Sequence, residues 1–216
     1  MIMQYNFIAI EGNIGAGKTT LAMRMAEQFD AKLILERFEG NSFLPKFYED
    51  PDQYAFPLEM SFLADRFQQL KDKLPSQDLF KKFTISDYFI DKSLIFSRNN
   101  LSGDELALYK RLFNIISSFL PRPDLIVYLF HDTGRLLQNI NLRGRPYEAG
   151  IKAEYLENIQ QNYFSHFRSL KNGRVLIIDL EGTDFVTSEK EYECLVEQVL
   201  KEYPPGIHRL FLKEQL

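Results

Sequence analysis

The stretch Phe7–Leu21, FIAIEGNIGAGKTTL, constrains the fold more than any other: an apolar run breaks into glycines and passes straight into a helix-forming segment. Gly12, Gly17, Lys18 and Thr19 fill every fixed position of G-x-x-x-x-G-K-[ST], with Asn13, Ile14, Gly15 and Ala16 between them and Thr20 following. The motif requires a strand before it and a helix after it, because the glycines turn backbone N–H groups around phosphate oxygens while the helix aims its positive end at the same anion. In such a loop Lys18 neutralises the β and γ phosphates and the Thr19 hydroxyl holds Mg²⁺. These residues imply a protein that binds a nucleoside triphosphate. Its purpose has to be read elsewhere.

Four further apolar runs read as strands: Lys32–Glu36, Phe83–Ser86, Leu125–Phe130 and Val175–Leu180. They show little alternation, as expected where helices cover both faces of a parallel sheet. Helical periodicity occupies 18–29, 51–73, 103–119, 152–171 and 188–202, and Pro57 has a fixed φ suited to the first turn of a long helix. Strands alternating with helices predict a doubly wound α/β fold whose ligands sit beyond the carboxyl ends of the strands.

Composition narrows the partners. A net charge of −4 and a pI near 5.5 argue against nucleic acid, which calls for a basic surface. The lone Cys194 excludes an internal disulfide and a cysteine zinc site, and the amino terminus MIMQYNF carries neither a signal peptide nor a membrane span. A cytoplasmic protein without membrane or nucleic-acid partners is the expectation.

Several charged residues follow the strand ends. Glu36 closes its strand, where a carboxylate can take a proton from an attacking hydroxyl, or can be a surface glutamate beside Arg37. Asp87 follows the third strand as a Mg²⁺ holder, a helix N-cap or both. Asp91 either faces the same cleft or forms a solvated pair with Lys92 or Arg98. Glu59 and Arg66 lie seven positions apart, about two turns and roughly 10 Å along one helix face, either as a solvated edge or as readers of a polar ligand such as a nucleobase. Leu142–Gly150, LRGRPYEAG, sets Arg143 and Arg145 around a glycine before Glu148, the composition of a lid that closes over phosphate or of an exposed basic turn. The DLEG run at Asp179–Gly182 mimics a GTP-switch motif but lies at the last strand, and N-K-x-D is missing; Thr183–Phe185 can instead pack on an adenine.

In this order and spacing the residues resemble the deoxynucleoside kinase family, from Phe7 to about Tyr203. GNIGAGKTTL is similar to the family's opening, Glu36, Tyr48 in YEDP and the Phe56–Arg66 helix follow in its order, and Leu142–Glu157 is similar to its lid and next helix. The resemblance implies a P-loop NTPase-type three-layer fold, a five-stranded parallel sheet flanked by helices, one domain over 1–216 with a lid at about 139–150, and a homodimer. It implies ATP-dependent 5′-phosphorylation of a deoxyribonucleoside, with Glu36 as base, Tyr48 and Glu148 on the 3′-hydroxyl, Arg143 and Arg145 on the donor phosphates, Arg66 and Phe96 at the base, and Asp184 and Phe185 near the donor adenine.

Two positions depart from the pattern. Asp87 is followed by Tyr88 and Phe89 where the family has Arg and Ser, leaving Lys92, Arg98 or a lid arginine as substitutes. Glu59 stands where the family has Gln; an ionised carboxylate only accepts hydrogen bonds, which suits guanine N1–H and N2–H₂, so the expected substrate is a purine deoxynucleoside, deoxyguanosine ahead of deoxyadenosine. A nucleoside monophosphate kinase of thymidylate-kinase type and a non-catalytic nucleotide switch are the alternatives.

Overall fold

The computed structural model describes residues 5–38, 40–74 and 81–216; the first residues of the amino-terminal stretch read for a leader lie outside them. The expected alternation appears, with β1 (Phe7–Gly12), α1 (Lys18–Phe29), β2 (Lys32–Ile34), α2 (Phe43–Glu49), α3 (Pro51–Lys73), β3 (Thr84–Ser86) and α4 (Asp91–Asn100) in the first half. The second half runs α5 (Gly103–Ser117), β4 (Leu125–Phe130), α6 (Thr133–Arg143), α7 (Ala153–Ser169), β5 (Arg174–Asp179), α8 (Glu189–Val199) and β6 (Gly206–Phe211). All neighbouring strands pair in parallel, in the order β2-β3-β1-β4-β5-β6. The sheet has six strands rather than the expected five. β6 is an exposed edge strand, and its residues Gly206–Phe211 do not form the apolar run that marks the buried strands.

Side-chain alternation divides the core into two faces. On one, Ile8, Ile10, Val127, Leu129, Leu176 and Ile178 pack with Leu21, Met25, Leu136, Leu195 and Val199. On the other, Phe7 and Ala9 meet Leu58, Leu63, Tyr88, Tyr109 and Phe113, while Ile126, Tyr128 and Ile177 meet Ile95, Tyr163 and Phe167. Helices therefore cover both faces, as the unalternating strands required.

Two local expectations need correction. The long helix fills 51–73, where the periodicity placed it, but it does not start at Pro57. It starts at Pro51, where the Asp50 carboxylate accepts from Gln53 N (3.2 Å) and proline fits the first turn, leaving Pro57 inside a helix held by buried Leu58, Leu63 and Leu70. Residues 139–143 are not lid but the last turns of α6, which Asp132 caps at its start and Gly144, at φ 68°, ends. The mobile-loop expectation thus shrinks to Gly144–Lys152, which includes one tight turn at Pro146–Glu148.

Candidate active site

The phosphate loop joins β1 to α1, with Gly15 and Gly17 in the left-handed region at φ 82° and 83°. A Cβ on Gly15 would stand 2.9 Å from the Leu136 carbonyl oxygen of α6, so both the turn and the close approach require glycine. No side chain caps the start of α1, leaving its N–H groups open to an anion. Lys18 Nζ donates to the Asn13 carbonyl at 2.7 Å, and desolvation together with the charge of Lys92 pushes its pKa down. The Asn13 side chain is a structural tie: its Nδ2 donates to the Leu156 carbonyl at 2.7 Å and its Oδ1 accepts from Ile14 N.

Asp87 fastens three elements together. Its Oδ2 accepts from the Thr19 hydroxyl at 2.5 Å and its Oδ1 from Glu36 N at 2.7 Å. These oxygens suit Mg²⁺, a hard cation that takes one or two protein ligands and fills its remaining positions with water and substrate phosphates.

Glu36 lies two residues beyond the end of β2 and is held from two sides. Arg66 donates to Oε1 through Nε (2.8 Å) and Nη2 (2.6 Å), while Lys92 Nζ donates to Oε2 at 2.5 Å. Burial alone would raise the pKa of Glu36, but Lys92 and Arg66 outweigh it and hold the group at about 2. Arg66 also donates to Ser93 Oγ at 2.8 Å, so it fixes Glu36 and makes no hydrogen bond to Glu59. The surface-glutamate and solvated-edge readings of these residues are thereby set aside.

Two cavities meet at this point. A large one of about 850 Å³ is lined by Gly15–Thr20, His131, Arg135, Thr183, Asp184 and Phe185, and a smaller one of about 130 Å³ by Tyr48, Glu59, Arg66, Lys92, Phe96 and Asn100. Lys18, Thr19, Glu36, Asp87, Arg143 and Arg145 border both. The lid arginines converge on Glu148, Arg143 at 2.6 Å and Arg145 at 3.4 Å, and Tyr147 stacks on Tyr48 with centroids 6.1 Å apart. On the wall of the smaller cavity, Asn100 Nδ2 donates to Glu59 Oε1 at 2.6 Å while Glu59 Oε2 is buried without a partner. Burial raises the pKa of Glu59 to about 7 against the opposing charge of Arg66 and the Asn100 hydrogen bond.

Asp91 is the misplaced expectation. It neither lines the cleft nor pairs with Lys92 or Arg98; its carboxylate accepts from Arg122 at 2.7 Å and lies 2.9 Å from His166 Nε2. Helix geometry explains this. Lys92, Phe96 and Asn100 follow one another at intervals of four on the cavity side of α4, whereas the neighbouring Asp91 is turned about 100° away toward α7. The same spacing was the sequence signal for Asn100, which sequence reasoning missed because α4 was not recognised as a complete helix. His131 and Arg135 were missed with α6.

A phosphate loop at the head of a parallel sheet, opening onto a second cavity with a carboxylate at the junction, defines a phosphate-loop kinase with a small acceptor. Residues 8–203 match the family described as deoxynucleoside kinase. The chain belongs to the deoxynucleoside kinase family, and its reaction is phosphate transfer to a deoxynucleoside in nucleotide salvage. It is 38% identical over 199 residues to the deoxyguanosine kinase of Bacillus subtilis (strain 168), covering 89% of this chain and 95% of that one. The deoxyadenosine kinase of Dictyostelium discoideum is 30% identical over 197 residues, 91% of this chain and 78% of its own. In fold, the chain is similar to deoxyadenosine kinase from M. mycoides with bound dATP, with a TM-score of 0.77 at 23% identity, covering 90% of this chain and 99% of that one.

Proposed function

We propose that the protein transfers the γ-phosphate of ATP to the 5′-hydroxyl of a purine deoxynucleoside, deoxyguanosine ahead of deoxyadenosine. The observation that carries the purine reading is Glu59 Oε2, a buried acceptor without a partner on the wall of the smaller cavity. An ionised Glu59 matches guanine, whose N1–H and N2–H₂ both donate: Oε2 is open, and Oε1 keeps a second lone pair beyond the Asn100 bond. The similarity to a deoxyguanosine kinase and a deoxyadenosine kinase supports the same choice.

In this reading ATP occupies the larger cavity, its phosphates on the loop amides and Lys18, its base near Asp184 and Phe185. Thr19 and Asp87 would hold Mg²⁺, which supplies charge neutralisation on the phosphates. The nucleoside lies along α3, its 5′-hydroxyl at Glu36, its 3′-hydroxyl at Tyr48 and Glu148, and its base edge at Glu59. The roughly 10 Å that separates Glu59 from Arg66 along the helix suits that span. Phe96 lines the base pocket, and Arg143 and Arg145 leave Glu148 to close on the transferring group.

Assayed side by side with ATP and Mg²⁺, the four deoxynucleosides should rank with deoxyguanosine first by kcat/KM. Turnover of thymidine with none of either purine would overturn the assignment. A cytoplasmic homodimer belongs to the same proposal. Leu108, Leu112 and Ile115 of α5, with Phe119 just beyond, form an apolar stripe at helical spacing that a second copy would cover, and light scattering should give twice the mass of one chain; a single-chain mass at micromolar concentration refutes it.

A further inference from the structure

Tyr88 stands where an arginine was expected, and it leaves the cleft without a cation at that point. It is fully buried and its hydroxyl donates to Gln69 Oε1 at 2.7 Å. Arg66 has its Nε and Nη2 on Glu36 and its Nη1 on Ser93, and both lid arginines are paired with Glu148, so that they reach the transferring group only once the lid closes. Lys92 is placed differently. It is 7% exposed, it borders the acceptor cavity from α4, and its Nζ reaches Glu36 Oε2 with two of its three donors still to engage. It also stands close enough to Lys18 for the two charges to repel, which puts it beside the loop that receives the donor phosphates. Buried Glu11, which accepts from Phe89 N at 2.7 Å and from the Tyr163 hydroxyl at 2.8 Å, lies within electrostatic reach of both lysines, and burial pushes its pKa up to about 7 against their pull.

We propose that Lys92 is a catalytic cation of this kinase, its ammonium bridging Glu36 and the phosphoryl group in transfer. The proposal rests on the reading in which Glu36 is the base for the 5′-hydroxyl. As the 5′-oxygen bonds to the γ-phosphorus and the bond from that phosphorus to the β,γ-bridging oxygen breaks, the hydroxyl proton passes to Glu36. A neutral Glu36 releases its hold on Lys92, and the ammonium turns to the phosphoryl oxygens as their charge needs it. Arg66 stays on Glu36, so the carboxyl keeps its place when Lys92 moves.

The test is a double-variant cycle with Lys92→Met, Glu36→Gln and both together, each checked by circular dichroism and by deoxyguanosine binding. Lys92→Met should lower kcat about 10²-fold or more while deoxyguanosine KM changes only several-fold. The same substitution should cost at least tenfold again in the Glu36→Gln background, because a cation on the phosphoryl group acts without the base. Added ethylammonium should restore part of the rate to Lys92→Ala saturably, and tetramethylammonium, which has no donor, should not. Lys92→Met at near wild-type kcat, no further loss in the double variant, or no rescue would each overturn the proposal. The Glu36 reading is judged separately: a wild-type rate in Glu36→Gln ends it, whereas a dead Glu36→Gln beside an active Lys92→Met ends only the Lys92 assignment. If Lys92→Met does not fold, Lys92→Gln, which keeps the stem and a donor but not the charge, replaces it in the cycle.

Discussion

Replacing Glu36 with Gln is expected to lower kcat by about 10³-fold while ATP affinity stays within a few-fold of wild type. The carboxylate lies between the cavities, and Gln matches its size but cannot take a proton at neutral pH. A pKa of about 2 looks too low for a base, but the group needs only modest basicity. In a loose phosphoryl-transfer transition state the nucleophile becomes acidic late, so orientation of the hydroxyl precedes proton transfer. A phosphoryl group that shares the Lys92 ammonium with Glu36 weakens that pair and moves the carboxyl back toward the usual carboxylate range. Because the folded-state pKa lies below the unfolded value near 4.5, Glu36 is ionised from about pH 4 upward, and its pairing contributes stability that is complete above pH 4.5 and lost as pH falls through about 2. A fall in rate between pH 8 and 6 would therefore come from another group. Stopped-flow or steady-state kcat, with ATP binding measured separately, checks the prediction; a variant within threefold of wild-type kcat excludes Glu36 as the base.

What the sequence disclosed follows from how locally each feature is specified. The phosphate loop is legible because its glycines and lysine must occur at fixed spacing, and the four inner strands are legible because burial on both faces makes them continuous apolar runs. Glu36, Arg66 and the lid arginines were candidates from position alone, but their partners were not, since the Arg66–Glu36 bond joins residues 30 apart and the Lys92–Glu36 bond residues 56 apart. Asp91 failed for a finer reason: one residue of helical phase decides whether a side chain on α4 meets the smaller cavity or His166. β6 escaped notice because an exposed edge strand has no buried face to impose a pattern. α2 was hidden by its seven residues and the proline within them.

Glu59→Gln should reverse the choice of base. In the wild type, Glu59 Oε1 is fixed by Asn100 and the buried Oε2 is open to the ligand, while Arg66, engaged by Glu36 and Ser93, acts on Glu59 only through space. Its protonation state then decides which edge fits. Ionised, the carboxyl accepts from guanine N1–H and N2–H₂; protonated, it donates to adenine N1 and accepts from N6–H₂, and cytosine N3 and N4 offer the same pair. With burial holding the pKa at about 7, the protonated form prevails below that pH and the ionised form above it. The ratio of kcat/KM for deoxyguanosine to that for deoxyadenosine should therefore rise with pH, approaching tenfold per unit where protonation of Glu59 is limiting, while titrations that affect both substrates alike cancel from it. Gln presents a donor and an acceptor at every pH and lacks the charge that strengthens the guanine contact. In Glu59→Gln the ratio should fall by about 10²-fold or more, the cost of losing a charge-assisted hydrogen bond and setting an amide N–H against guanine N1–H, and it should become flat in pH. Both substrates assayed from pH 6 to 8.5 in wild type and variant decide the matter: a wild-type ratio that does not move with pH, together with an unchanged ratio in the variant, removes Glu59 from base selection.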